Sequence, residues 1–385
     1  MNNKKESHFE TDSIHAGNEF KEGTGAIIPP IYATSTFESD NDYGFDYTRS
    51  GNPNFRNLEE AIAKIEKANY ATVFASGVSA ITAVLSTLDK GSMILAEENI
   101  YGCTYRLIDQ VFSKFGVSVE YIDFTNQKCI KRISEVSPDL VWIESPTNPL
   151  LKVIDIESIA NETKDSETAL VVDNTFSSSY IQCPLELGAD VSLLSLTKYT
   201  NGHSDALGGV VCTRDTYWGD KMMFSQKALG LQPSPFDCWL IQRGLKTQSI
   251  RMEKHSNNAY EIAKYLEERF PNERVFYPFL ESHPQYEIAR KQMKMGSGII
   301  TADLGIGLEK TVSLLNELQY FTKAESLGGV ESLSCHPASM THSSIPRDVR
   351  ESVGITDSLF RLSVGIENVD DLIIDLNSAL DKICT

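Results

Sequence analysis

The segment Ser195-Leu196-Thr197-Lys198-Tyr199-Thr200-Asn201-Gly202-His203-Ser204-Asp205 sets two hydroxyls beside an amine, directly after the apolar run Val191 to Leu194. If the extended chain continues that far, period-2 geometry puts Ser195 and Thr197 on one side, facing an anion, while Lys198 approaches from the strand end. A phosphate beside an amine suits such a corner. A lysine kept from water loses its proton more readily and becomes a nucleophile towards a carbonyl carbon. An isolated S-x-T-K run is more often a surface lysine after a buried strand, so the neighbours decide. Asp173 ends another apolar run, where a carboxylate is costly unless it meets a positive partner such as a protonated ring nitrogen. Alone, it reads equally well as an N-cap or a turn residue. The small residues of Phe74-Ala75-Ser76-Gly77-Val78-Ser79-Ala80 precede a helical pattern and would turn backbone N–H groups towards an anion.

These residues need a frame, and the apolar pattern supplies one. Met93 to Ala96, Val117 to Ile122, Leu140 to Ile143, Ala169 to Val172 and Val191 to Leu194 read as strands. Helix-period stretches lie between them, with Leu58, Ala61, Ile62 and Ile65 on one face and Ile81, Val84, Leu85 and Leu88 on another. Such alternation predicts a mostly parallel sheet covered by helices, with ligands beyond the carboxyl ends of its strands. Glu144 to Pro149, Asp173 to Thr175 and Ser195 to Lys198 stand at those ends. From Thr11 to Pro53 there are turn signals without a sustained period, which suggests an arm lying on something else. After about Gly244 a long charged helix (Arg251 to Arg269) and short strands such as Gly298 to Ala302 predict a smaller α+β domain. It closes with a helix capped by Asn368 that buries Leu372, Ile373, Leu376 and Leu380.

The chain has 385 residues, 41% of them hydrophobic, enough for a sizeable core and against disorder or a fibrous repeat. Thirty-five Lys+Arg against 53 Asp+Glu leave a formal charge of −18, which repels a phosphate backbone and argues against nucleic acid. No apolar run approaches the roughly 20 residues of a membrane span, and Met1 to Thr11 is polar without an apolar signal core. Seven scattered cysteines, never spaced CxxC, fit neither a disulfide framework nor a metal site. A cytoplasmic protein without a metal is expected.

Taken together and in order, Phe45-Asp46-Tyr47-Thr48-Arg49-Ser50-Gly51-Asn52-Pro53, Tyr101-Gly102-Cys103-Thr104, Glu144 to Pro149, Asp173-Asn174-Thr175-Phe176, Ser195 to Asp205 and Arg361-Leu362-Ser363-Val364-Gly365-Ile366-Glu367 resemble the Cys/Met-metabolism enzymes that use pyridoxal 5'-phosphate (PLP). The resemblance spans almost the whole chain. It implies an α/β, aminotransferase-like (fold type I) large domain with a mostly parallel seven-stranded sheet over residues 56–245. An N-terminal arm, 1–55, would contact the neighbouring subunit, and a smaller α+β domain would cover 246–385. It further implies that Lys198 carries the cofactor and that Asp173 keeps its ring nitrogen protonated. Ser76, the Gly77 and Val78 amides, Ser195 and Thr197 would surround its phosphate, with Tyr47 and Arg49 reaching it from a second subunit. Tyr101 would lie over the ring and help move protons, Asn148 would bond the ring's phenolic oxygen, and Arg361 would grip a substrate α-carboxylate.

Within that family, Glu325 ahead of Ser326 resembles the γ-lyase and γ-synthase branch; methionine γ-lyases have an apolar residue there and β-lyases an aromatic one. A carboxylate at 325 offers a charge partner to the distal ammonium of cystathionine. Pro233 to Cys238 and Arg243 to Thr247 are similar to γ-lyases, although Gln248 replaces their usual Leu, while Cys335 to His342 is similar to methionine γ-lyases. The activity implied is γ-elimination of cystathionine to cysteine, 2-oxobutanoate and ammonia, in a homotetramer of dimers that share active sites. The alternative is γ-replacement, as in cystathionine γ-synthases and O-acylhomoserine sulfhydrylases, which use the same parts. No site residue is missing, which argues against a silent amino-acid-binding relative.

Overall fold

The computed structural model describes residues 7–18, 25–270, 274–343 and 346–384. Residues 1–6 and 19–24 of the expected arm, and 271–273, 344–345 and 385 of the expected C-terminal domain, lie outside them. Strands β1 (Tyr70–Phe74), β2 (Met93–Glu97), β3 (Ser118–Ile122), β4 (Leu140–Glu144), β5 (Ala169–Asp173), β6 (Val191–Leu194) and β7 (Gly209–Thr213) form one sheet, ordered β1-β7-β6-β5-β4-β2-β3. Neighbours from β6 to β3 are parallel; β7 runs antiparallel to both β1 and β6. β4 and β7 are buried throughout, as strands covered on both faces must be. The sheet is the mostly parallel, seven-stranded one expected.

Strands β8 (Arg274–Phe276), β9 (Ile299–Asp303), β10 (Thr322–Lys323), β11 (Leu333–Cys335) and β12 (Leu359–Ser363) form a second, smaller sheet, ordered β10-β11-β12-β9-β8 and mainly antiparallel. The Gln248–Arg269 and Val369–Cys384 helices pack beside it, and Leu372, Leu376 and Leu380 are fully buried. Asn368 caps the last helix by accepting from the Asp370 N–H at 2.8 Å.

Local chemistry explains the helices that matter for the site. In α2 (Pro53–Ile65) the Asn52 side chain accepts from the Asn54 N–H, Pro53 opens the first turn, and Leu58, Ala61, Ile62 and Ile65 are buried. In α3 (Gly77–Leu85) Ser76 caps the Ser79 N–H, and Ile81, Val84 and Leu85 face the core. Leu88, expected on that helix, lies past its end and still packs against the same core.

Three expectations change. The stretch read from Thr11 onward as irregular begins inside a short helix, α1 (Phe9–His15), which packs on α2 and on the Gln248–Arg269 helix. β1 and β7 are strands that the apolar runs do not mark. The chain also leaves β6 at Leu194, so Ser195 and Thr197 lie on a turn rather than on one side of a strand.

Candidate active site

Beyond Leu194 the Ser195 N–H is taken by the Thr175 hydroxyl at 2.9 Å, and the chain folds into a turn closed by Asn201 N–H to Leu196 C=O at 2.9 Å and Gly202 N–H to Lys198 C=O at 2.8 Å. Arg251, buried, holds the outside of this turn. Its guanidinium donates to the carbonyls of Tyr199, Thr200 and Gly244 at 2.7, 3.2 and 2.8 Å. Gly202 has φ +69°, and a Cβ there would come within 2.0 Å of Arg251 Nη1. Lys198 is thereby presented inward, where its ammonium donates to Ser326 Oγ at 2.7 Å. Ser326 itself is held at φ +97°, a conformation costly for a residue with a Cβ. Burial, helped by the nearby Arg361 charge, pulls the Lys198 amine down to about 8.

The anion end is built by the start of α3. Gly77 and Val78 border the cavity with the helix N-terminus, whose first N–H groups have no partner within the helix. A Cβ on Gly77 would lie 2.8 Å from Ser195 Cβ, so only glycine lets the helix start meet the Ser195 turn. Thr197 Oγ1 accepts from the Gly208 N–H at 3.1 Å on the same side.

Two carboxyls form the floor. Asp173 at the end of β5 accepts from the Thr175 N–H at 3.0 Å, and Glu144 at the end of β4 stands in register beside it. Burial raises Asp173 to about 6, against the pull of its bonds from Thr175. Tyr101 borders the cavity, its N–H donating to Glu144 Oε1 at 2.7 Å, and burial raises its phenol above the usual range. From β12, Arg361 donates through Nη1 to Asn148 Oδ1 at 2.9 Å and through Nη2 to the Ser326 carbonyl at 2.8 Å. Its Nε is buried without a hydrogen-bond partner.

Every residue read from the sequence as meeting cofactor or substrate lines this one cavity of about 360 Å³, except Tyr47 and Arg49. Those two border a separate cleft with Gln232 and Pro235, and Arg49 Nη1 donates to the Lys227 carbonyl at 3.0 Å. Within one chain they do not reach Lys198's cavity. Sequence reading overlooked Arg251, for which no local pattern gives a signal. It also gave no role to Glu144, although the strand-end rule had drawn attention to its position.

A phosphorylated pyridine aldehyde fits what is present: a helix start beside two hydroxyls, an amine of lowered basicity, and a buried Asp173 that no basic side chain pairs with among the described ion pairs. The chain is 44% identical over 376 residues to a cystathionine γ-lyase of Dictyostelium discoideum, covering 97% of each. It is 43% identical to a cystathionine β-lyase of Coxiella burnetii, covering 98% of this chain and 99% of that one. It superimposes with a TM-score of 0.94 on a crystal structure of cystathionine γ-synthase from Xanthomonas oryzae in complex with aminoacrylate and cysteine, at 38% identity and 98% coverage of both. The family model described as Cys/Met metabolism PLP-dependent enzyme matches residues 10–381, and with the cavity just described this chain belongs to that PLP-dependent family.

Proposed function

We propose that this enzyme eliminates the γ-substituent of cystathionine, releasing cysteine, 2-oxobutanoate and ammonia. The observation that carries the reading is Glu325, which borders the cavity together with Lys198 and Arg361 and offers a carboxylate to a distal ammonium. The similarity to γ-lyases, a β-lyase and γ-synthases alike fits an active site whose shared parts serve several outcomes.

PLP, when bound, supplies a carbonyl that captures amines and an electron-poor ring that stores the electrons of a departing proton. The chain's own residues do the rest. Ser76, the Gly77 and Val78 amides, Ser195 and Thr197 hold the phosphate. Asp173 keeps a proton on the ring nitrogen, since a cation there relieves the cost of burying its charge. Tyr101 and Asn148, which both line the cavity, would lie against the ring and hydrogen-bond its phenolic oxygen, respectively. Lys198, its basicity lowered and its amine held by Ser326, would carry the cofactor and, once freed by the substrate amine, would serve as the base for the Cα proton. Arg361 binds the α-carboxylate with the directionality of a planar guanidinium, and Glu325 and Ser326 face the distal end.

We also infer a division into an arm over 1–55, a PLP-binding domain over 56–245 and a C-terminal domain over 246–385. The arm's Tyr47 and Arg49 would serve the phosphate of a second subunit, in a homotetramer of dimers working in the cytoplasm. The exposed Ile27, Tyr43 and Tyr47 of the arm favour packing on another copy. The absence, among the described residues, of a helix long and apolar enough to cross a membrane agrees with this setting.

The test is product analysis with cystathionine. γ-Elimination yields 2-oxobutanoate, whereas pyruvate would mark β-elimination; cystathionine formed from an O-acylhomoserine and cysteine faster than it is consumed would move the enzyme to γ-replacement. Lys198→Ala is expected to remove the lysine-dependent visible absorbance of the cofactor and at least about a thousandfold of activity. An unchanged absorbance spectrum would refute the lysine assignment.

A further inference from the structure

The roles above leave one titratable residue lining the cavity unused, Glu144. It is 5% exposed and lies in register with Asp173 on the adjacent parallel strand. Two carboxyls so close, away from water, cannot both be ionised without a large cost, so one keeps its proton. Four groups bear on Glu144: Asp173, Glu97 at the end of β2, and, from the start of α4 (Gly102–Arg106), the Tyr101 N–H and the Thr104 hydroxyl. The basic side chain on that side, Lys152, is engaged by Glu97, Glu98 and Asp123. Like Asp173, Glu144 has no basic side chain paired with it among the described ion pairs, and burial first, then Asp173, hold it well above the ordinary carboxylate range.

Its geometry gives it a task. Tyr101 is the extended residue from which α4 starts, with φ −53°, ψ 130° and no side-chain cap of its own. The Tyr101 N–H would be one more unpaired donor at a helix start, and Glu144 Oε1 takes it at 2.7 Å. Anchoring the main chain at this residue fixes the direction in which its Cα–Cβ bond leaves, and with it the place of the phenol in the cavity. We propose that Glu144 is a positioning residue: as a neutral carboxyl it anchors Tyr101 over the cavity and leaves Asp173 the single charged member of the pair. This rests on the roles proposed above for Tyr101 and Asp173.

The experiment compares Glu144→Gln, which keeps an uncharged acceptor, with Glu144→Ala, which keeps none, in the holoenzyme. Glu144→Gln is expected to hold kcat within about threefold of the parent with an unchanged pH profile, and Glu144→Ala to lower kcat about tenfold or more with KM changed less than about threefold. Visible circular dichroism of the bound cofactor, which reads the packing around the ring, should be kept by the Gln variant and reduced in the Ala variant, both melting as cooperatively as the parent. In a Tyr101→Ala background, Glu144→Ala should cost less than about twofold more, since nothing is left to position. The inference is overturned if Glu144→Gln loses as much activity as Glu144→Ala or moves a limb of the pH profile by about one unit, which would make Glu144 a charged or proton-moving group. Additive losses in the Tyr101→Ala background overturn it as well. If Tyr101→Ala alone leaves kcat and the dichroism unaltered, it is the underlying role of Tyr101 that fails, and the inference falls with it.

Discussion

Lys198 is half-buried and Gln248 fully buried, and their surroundings give them opposite consequences. Lys198 has Ser326 to receive its ammonium, and its basicity is brought down to about 8. In the apoprotein it should react half-maximally with an aldehyde reagent near that pH, well below the range of an exposed lysine, as peptide mapping against pH would read; a midpoint above 10 would contradict the buried placement. Gln248, fully buried, has neither its amide oxygen nor its nitrogen hydrogen-bonded. An unsatisfied buried amide is destabilising, so Gln248→Leu, the residue γ-lyases usually carry here, should raise stability by about 1–3 kcal/mol without changing turnover. Urea denaturation checks this, and a lowered midpoint would mean the amide has a partner such as a buried water. The substitution was visible in the sequence. That it leaves two polar atoms stranded was not, because satisfaction depends on what packs around the first turn of the Gln248–Arg269 helix.

Helices and strands bring their own titrating groups into the core. Glu66, the residue that closes α2, accepts from Ser192 Oγ at 2.8 Å, and Glu97 at the end of β2 accepts from the Phe124 N–H at 2.9 Å. Burial lifts each to about 7. Since their folded values exceed the ordinary glutamate value of 4.5, the native chain holds these protons after the unfolded chain has released them. Their stabilisation is complete below pH about 4.5 and is lost as pH rises through about 7. Glu66→Gln should therefore flatten the decline of unfolding free energy between those values, by at most about 3 kcal/mol. Denaturation curves at several pH values read the difference, and a parallel pair of curves would remove Glu66 from the effect. At this scale the apolar runs marked five of the seven large-sheet strands. Tyr70 to Phe74 lacks a distinct signal because it follows α2 after only four residues, and Gly209 to Thr213 because it opens on the pair Gly208-Gly209. No periodicity could have shown where β6 stops, since the stop is made by the Thr175 hydroxyl claiming the Ser195 N–H that a further rung would need.

For the molecule as a whole, the displaced pair Tyr47 and Arg49 matters most. They border a cleft of their own while the cavity at Lys198 gathers all the other expected residues. If each arm serves a second subunit, a protein with Arg49→Ala and one with Lys198→Ala, each nearly inactive, should complement on mixing after dissociation. Random reassortment makes half of the dimers mixed, each with one intact site, so about a quarter of parental activity should return. No recovery on verified mixing, with Arg49→Ala alone inactive, would show that Arg49 acts within its own chain.

The order of apolar runs and the polar residues at their ends determined an α/β sheet, the corner around Lys198 and the acid at 173, because backbone pairing and side-chain alternation are local properties. Tertiary structure alone decided that Arg251 braces the lysine turn, that Ser326 receives its amine, and that Glu144 meets both Asp173 and the Tyr101 N–H. Those contacts join segments far apart in the chain. Their partners are selected by how two sheets pack around a common cavity, and no spacing within either segment encodes that packing.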